Sequence, residues 1–309
     1  MLQELSALLV AGSLLGPSLS TSAPSPDPNV NAPAVTIQRR VEEVHVSFSA
    51  EDDMGPLKNF PADGFAVYDN ERKVSSFTAF GEDSNLPLRI GLLIDRSDSV
   101  RKEFRAEQQA AQGFLNSVLR PGIDSIFLLD FTHQLNFRRP SGGDRQMLTA
   151  EVSALASGGQ TALYDAIDGA ANDAVMTTTE PQPVRRVIIL LSDGEDNYSR
   201  HSLEDAVAAV QRKDIAIYAI TVQASRGYHA GDAVLALFAQ ATGGRAFVLP
   251  NLKRLDAVFA QIQDELRTEY SVAFHPLSPD QCGYHTLLIR AHDPRVRVHA
   301  RQGYYNCEP

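Results

Sequence analysis

The chain has 309 residues, which at about 150 residues per domain points to roughly two domains, with enough length to bury real cores without metal or disulfide staples. Hydrophobic residues make up 43% and charged residues 21%, the balance of an ordinary soluble globular protein, which excludes wholesale disorder and a polytopic membrane protein. The 28 basic and 38 acidic residues leave a net charge of -10, and a surface of that sign repels a phosphate backbone, so nucleic acid is not an expected partner.

Residues 5–15 (LSALLVAGSLL) form a short apolar run followed by small and polar residues through Ala23. That is the outline of a secretory signal, and it is too short to span a bilayer as an ordinary helix, so no integral membrane segment is expected. Glu4, with no Lys or Arg at the start, departs from the usual positive beginning of such a signal, and a short apolar tail is the alternative. Residues 1–23 are read as a signal peptide. The stretch TSAPSPDPNVNAPA is rich in Pro, Ser and Asn, and residues 24–34 within it read as a flexible linker. The expected location is outside the cytoplasm: periplasmic, cell-surface or secreted. Cys282 and Cys307 are the only cysteines, and an even count in an exported chain suggests a disulfide, with two buried thiols as the alternative.

Residues 35–85 carry short alternating runs, such as Val44, Val46 and Phe48, then Phe65 and Val67, separated by the turn-rich DDMGP and NFPADG. This pattern predicts an N-terminal β region. From residue 86 the character changes. Apolar runs at 88–94, 126–131, 187–191, 215–222 and 246–249 alternate with helical patterns such as Leu163, Ile167, Ala170 and Ala174, or Leu255, Val258, Phe259, Ile262 and Leu266. Strands apolar on both faces, separated by helices, predict a doubly wound, mostly parallel α/β sheet over 86–268. After Thr268 the alternation returns with Tyr270, Val272 and Phe274, then Leu287 and Ile289, then Val296, Val298 and Ala300, marking a C-terminal β region over 269–309. Because β segments flank the α/β block on both sides, they are expected to pair into one small β-sandwich with the α/β domain inserted between them.

Ligands of open α/β sheets bind outside the carboxyl ends of the strands. Three segments there carry chemistry: Asp95, Ser97 and Ser99 in DRSDS, Thr161 in GGQT, and Asp193 in SDG. Two carboxylates and three hydroxyls suit a hard divalent cation, with Mg²⁺ or Mn²⁺ favoured over Zn²⁺, and Ca²⁺ ranked behind them. If the hydroxyls bind directly and the acids act largely through water, the ion keeps most of its charge and an open position. A carboxylate from a partner protein can fill that position. Taken singly, Ser99 and Thr161 also suit helix N-caps and Asp193-Gly194 an ordinary turn. Asp95 is harder to explain away, because an ionised carboxylate at a buried strand end needs a partner.

DRSDS, GGQT and SDG resemble the metal-ion-dependent adhesion site of the von Willebrand factor A domain, and the resemblance covers residues 86–268. The flanks FAVYDNERKVSSFTAF, ELRTEYSVAFHP and RVRVHARQGYY are similar to a bacterial subgroup of proteins related to that domain. The resemblance implies a Rossmann-like fold and assigns Asp95, Ser97, Ser99, Thr161 and Asp193 to the metal. It also marks two departures, since the family commonly has Gly where this chain has Asp98 and a small residue where it has Arg96. Asp98 could tighten the ion or occupy its open position; Arg96 could pair with Asp98 or attract an acidic ligand.

Tyr164, Tyr228 and His229 should rim the same face, as contacts for a partner or as plain packing, and residues 226–231 (RGYHAG) form the best candidate for a recognition loop. His133, His201, His285, His292 and His299 lack paired-ligand spacing and read as surface or strand residues. The function expected first is a non-catalytic, metal-dependent protein-binding module for adhesion or assembly, not an enzyme. One alternative is a Mg²⁺-dependent phosphotransferase of the haloacid dehalogenase type, but Ser97 stands where that pattern needs its second Asp. The other alternative is a structural assembly part working through the β-sandwich.

Overall fold

The computed structural model describes residues 43–83, 85–139, 144–180, 183–222 and 229–307. The expected signal peptide and linker lie outside the described residues, as does Tyr228. In chain order the elements are β1 (Val44–Asp52), β2 (Gly55–Pro56), β3 (Phe65–Asp69), β4 (Arg72–Lys73), β5 (Ala79–Glu82), β6 (Leu88–Asp95), α1 (Phe104–Val118), β7 (Ser125–Phe131) and β8 (Leu135–Arg138). There follow α2 (Arg145–Ala154), α3 (Leu163–Ala171), α4 (Ala174–Thr177), β9 (Arg185–Leu191), α5 (Leu203–Arg212), β10 (Ile215–Val222), α6 (Ala230–Thr242) and β11 (Ala246–Leu249). The last are α7 (Leu255–Glu265), β12 (Tyr270–Phe274), β13 (Tyr284–Ala291), β14 (Arg297–Ala300) and β15 (Gly303–Tyr305).

The central sheet has the order β11-β10-β9-β6-β7-β8, and all its neighbours are parallel except the edge pair β7–β8. Every residue of β6 is buried, as its mostly apolar run requires. Its alternating side chains feed two cores. Ile90, Leu92 and Ile94 meet Phe114 of α1 and Phe259 of α7 on one face. Leu93 meets Ile167 of α3 and Phe238 of α6 on the other. Each such side chain taken out of water contributes about 1.5–3 kcal/mol, which is why this strand can carry a costly acid at its end. The antiparallel β8 is a short, half-buried edge that the apolar runs of the sequence do not announce.

The flanking segments pair across the insertion. β1 is antiparallel to β12 in the register Val44↔Phe274 to Phe48↔Tyr270, and β3 is antiparallel to β13 from Phe65↔Ala291 to Asp69↔Leu287. One sheet runs β14-β1-β12-β5, with β2 beside β1, and the other runs β15-β13-β3-β4. Their inner faces share one core around Phe48, Phe65, Val67, Tyr270 and Ile289. A sandwich built from both flanks of the sequence therefore carries a doubly wound α/β layer as its insertion. Cys282 and Cys307 are disulfide-bonded, with Cα atoms 4.9 Å apart. Arg245 bridges the two parts, its guanidinium 2.6 Å from Glu51 of β1 and also paired with Glu265 at the end of α7.

Candidate metal centre

Asp95 ends β6 with no solvent exposure. One carboxylate oxygen accepts the Ser97 N–H at 2.8 Å and the other accepts the Ser192 hydroxyl at 2.7 Å. Ser192 follows β9, and its hydroxyl oxygen also accepts the Gly194 N–H at 3.1 Å, so the DRSDS and SDG loops are fastened to each other. Within DRSDS the Ser97 and Ser99 hydroxyl oxygens lie 2.9 Å apart, Ser97 buried and Ser99 exposed.

The GGQT loop docks on DRSDS through its backbone. The Asp98 N–H donates to the Gly159 carbonyl at 3.0 Å and the Gly158 N–H to the Arg96 carbonyl at 2.5 Å. Gly158 and Gly159 do this at φ of 149° and 113°, a region where a side chain would be strained. Thr161, almost fully buried, is gripped from the third loop: its N–H donates to the Asn197 side chain at 2.9 Å, and its carbonyl accepts the N–H groups of Asn197 and Tyr198 at 3.0 Å. The Leu163 N–H at the start of α3 donates to Asp196 at 2.8 Å. Gly194 (φ 80°) in turn lies so close to Gly231 of α6 that a Cβ on it would fall 2.2 Å from the Gly231 carbonyl oxygen.

These contacts bear on the capping alternative. The N-cap of α1 is Glu103 and that of α3 is Ala162, so neither Ser99 nor Thr161 serves as a cap. The three hydroxyl residues stand instead on loops cross-tied around Asp95 and beside Asp193. Asp193 is half-buried, with one oxygen accepting the Glu195 N–H at 3.1 Å.

The electrostatics of this end of the sheet are those of acids short of positive charge. Burial pushes the Asp95 carboxyl up to about 6; the bonds from Ser97 and Ser192 pull it back only in part, and the charge of Asp193 adds to the rise. Glu107, in the first turns of α1, is pushed up to about 8 by burial first and then by Asp95, Glu103 and Asp193. An all-oxygen donor set around an under-compensated buried carboxylate fits a divalent cation. Among the described residues no cluster of three His, Cys, Asp or Glu side chains forms a rival metal site.

Of the roles considered for the two departures from the family pattern, the pairing of Arg96 with Asp98 is replaced by other partners. Arg96 does not pair with Asp98. Its Nε lies 2.5 Å from the buried Asp130 at the end of β7, and its Nη1 donates to the Ala156 carbonyl at 2.7 Å, because Asp130 is a buried acid in reach and Asp98 an exposed one. Asp98 pairs with Arg101, three residues on. Tyr164 packs toward the core, its ring centroid 6.3 Å from that of Phe238. His229 is the N-cap residue of α6, the helix whose Gly231 lies against the backbone of Asp193 and Gly194. Asn197 and Glu107 are functional positions that the sequence reading does not single out. The acid-and-amide run EDN directly after SDG is the available signal for Asn197, and the burial of Glu107 has none. The exposed His133 and Tyr198, rings edge-to-face at 5.5 Å, also stand beside this loop, since His133 lies 3.6 Å from where a Cβ on Gly159 would be.

Comparison with known proteins follows the same lines. No curated protein sequence matches the chain. Among solved structures, proximal thread matrix protein 1 from the mussel byssus is 15% identical with a TM-score of 0.50, over 64% of this chain and 50% of that one. The chain thus spans about half the length of the mussel protein. A further structure of that protein, with the same identity and TM-score, has a zinc-occupied MIDAS motif. A von Willebrand factor type A structure from Catenulispora acidiphila is 11% identical with a TM-score of 0.49, covering 87% of this chain and 74% of its own. No enzymatic family is indicated. The sequence model of the von Willebrand factor type A domain matches residues 90–261, more than half of the chain and all three loops, and the chain belongs to that family.

Proposed function

We propose that the protein is an exported, non-catalytic binding module that holds a divalent cation on Asp95, Ser97, Ser99, Thr161 and Asp193 and captures an acidic side chain of a partner protein. The observation that carries this reading is the fully buried Asp95, raised in pKa and faced by hydroxyls that no helix uses as caps. A bound cation would supply positive charge and an open coordination position to an incoming carboxylate. The chain's own work is to orient and to exclude. Ser192 and the Ser97 N–H fix the plane of Asp95, and Asn197 fixes the backbone of Thr161. Arg96, held on Asp130, is kept from neutralising the acids. Oxygen donors favour Mg²⁺ or Mn²⁺, whereas the mussel protein holds zinc in its motif. The Cys282–Cys307 disulfide supports export to an oxidising compartment. His133 and Tyr198 offer an exposed aromatic rim for the surface around the captured acid.

The test is binding of the full chain to immobilised peptides carrying Asp or Glu, against the same peptides carrying Asn or Gln, in Mg²⁺, Mn²⁺ and EDTA. Capture that needs both the peptide acid and the cation, and that is lost in Asp193→Ala, supports the reading. Capture indifferent to EDTA and to Asp193→Ala would overturn it and move attention to the β-sandwich.

A further inference from the structure

Helix α1 starts just beyond the DRSDS loop and lies on the central sheet with the buried stripe Phe104, Glu107, Gln108, Ala111, Phe114 and Val118. Farther along, the stripe is apolar, as packing on Leu92 and Leu128 demands. Near its start stand two polar side chains. Gln108 is accounted for, donating to the carbonyls of Val152 at 2.7 Å and Leu155 at 3.0 Å. Glu107 is not. It is 3% exposed, and its Oε2, shielded from solvent, has no hydrogen-bond partner. A buried acid without a partner costs stability that an Ala or Leu on the same stripe would not. The groups whose fields act on it are Asp95, Glu103 and Asp193, two of which belong to the cation site. No Lys or Arg is among them.

We infer that Glu107 is a third acid of the cation site, serving it from beneath the DRSDS loop and strengthening its hold on the ion. The inference rests on the metal-binding reading above and deepens it. A carboxylate behind the first ligands adds negative charge where a cation sits and orders the water or hydroxyls between them, the role that outer-shell partners play at metal sites generally. It also explains why an acid is placed where the fold alone would take a hydrocarbon.

The experiment is titration of the full chain with Mn²⁺, reading the free ion by electron paramagnetic resonance, on the unaltered protein, Glu107→Gln, Glu107→Met and Asp193→Ala, with a thermal melt of each in EDTA. Gln keeps the shape of the acid and Met keeps its length, so at least one variant should melt normally. The expected result is a Kd for Mn²⁺ raised roughly ten-fold or more in both Glu107 variants, with melting in EDTA unchanged or higher. Wild-type Mn²⁺ affinity in either well-folded Glu107 variant would overturn the inference while leaving the metal site standing. Failure of the unaltered protein to bind Mn²⁺ any better than Asp193→Ala would instead overturn the metal reading itself, and this inference with it.

Discussion

The two ends of β6 hold buried acids in opposite condition. At the amino end, Asp124, just before β7, accepts the Leu88 N–H at 2.8 Å, the Arg120 N–H at 2.9 Å and the guanidiniums of Arg120 and Arg267 at 2.8 to 3.1 Å. Burial alone would raise its pKa, but these bonds more than offset that and hold it below the usual carboxylate range. At the carboxyl end, Asp95 has an N–H and a hydroxyl for partners, Asp193 and Glu107 for neighbours, and a raised pKa. The same strand thus ends once in a finished ion pair and once in an acid partnered only by an N–H and a hydroxyl. The first is structure; the second is the end to which the proposed function assigns the cation.

Breaking the finished end should have the largest effect. Asp124→Ala strands two arginines and the Leu88 N–H, and urea unfolding should show a loss of roughly 3 kcal/mol, tempered by the partial exposure of both guanidiniums. No cation should restore it. Asp95→Asn should do the opposite at the other end. Without a cation, the raised pKa of Asp95 means that its charge costs stability as pH rises from about 4, its unfolded value, to about 6 in the fold. In EDTA the unaltered protein should therefore melt higher near pH 5 than near pH 8. Asp95→Asn should reduce that slope, melt above the unaltered protein at pH 8, and lose its response to Mn²⁺. A fall in melting temperature for Asp95→Asn in EDTA would mean that Asp95 is as well partnered as Asp124. The smallest effect expected is that of Asn197→Ala, which frees the Thr161 N–H and should cost about 1 kcal/mol while weakening Mn²⁺ binding, both readable in one set of melts with and without the ion.

The difference between the ends also explains what could be read in the sequence. The strands of the central sheet are legible because a strand buried on both faces must be mostly apolar, as residues 88–94 are with Arg89 as the exception. The flanking strands betray themselves by alternation, and their pairing across the insertion follows from the shared core of Phe48, Phe65 and Tyr270. The short, half-buried β8 has neither pattern. Asp95, Ser97, Ser99, Thr161 and Asp193 are legible as candidates because hydroxyls and acids cluster at or just after the ends of strands β6 and β9 and just before helix α3. What spacing cannot give is partnership. Pairing with Asp98 is one of the roles the sequence allows Arg96, and in the fold it serves Asp130 instead, a residue 34 positions away whose burial only the fold creates. Glu107 reads as one more polar position on a surface helix until the helix is laid on the sheet.

The most direct test of the unfinished end is thermal melting of the full chain in EDTA, Mg²⁺, Mn²⁺, Zn²⁺ and Ca²⁺, beside Asp193→Ala. An ion that binds only the folded state at a hundred times its Kd stabilises by about 2.7 kcal/mol, a rise of a few degrees for a fold of this size. The account predicts such a rise for at least one of these cations in the unaltered protein and its loss in Asp193→Ala. An equal rise in both proteins, or none with any cation at millimolar concentration, would contradict it.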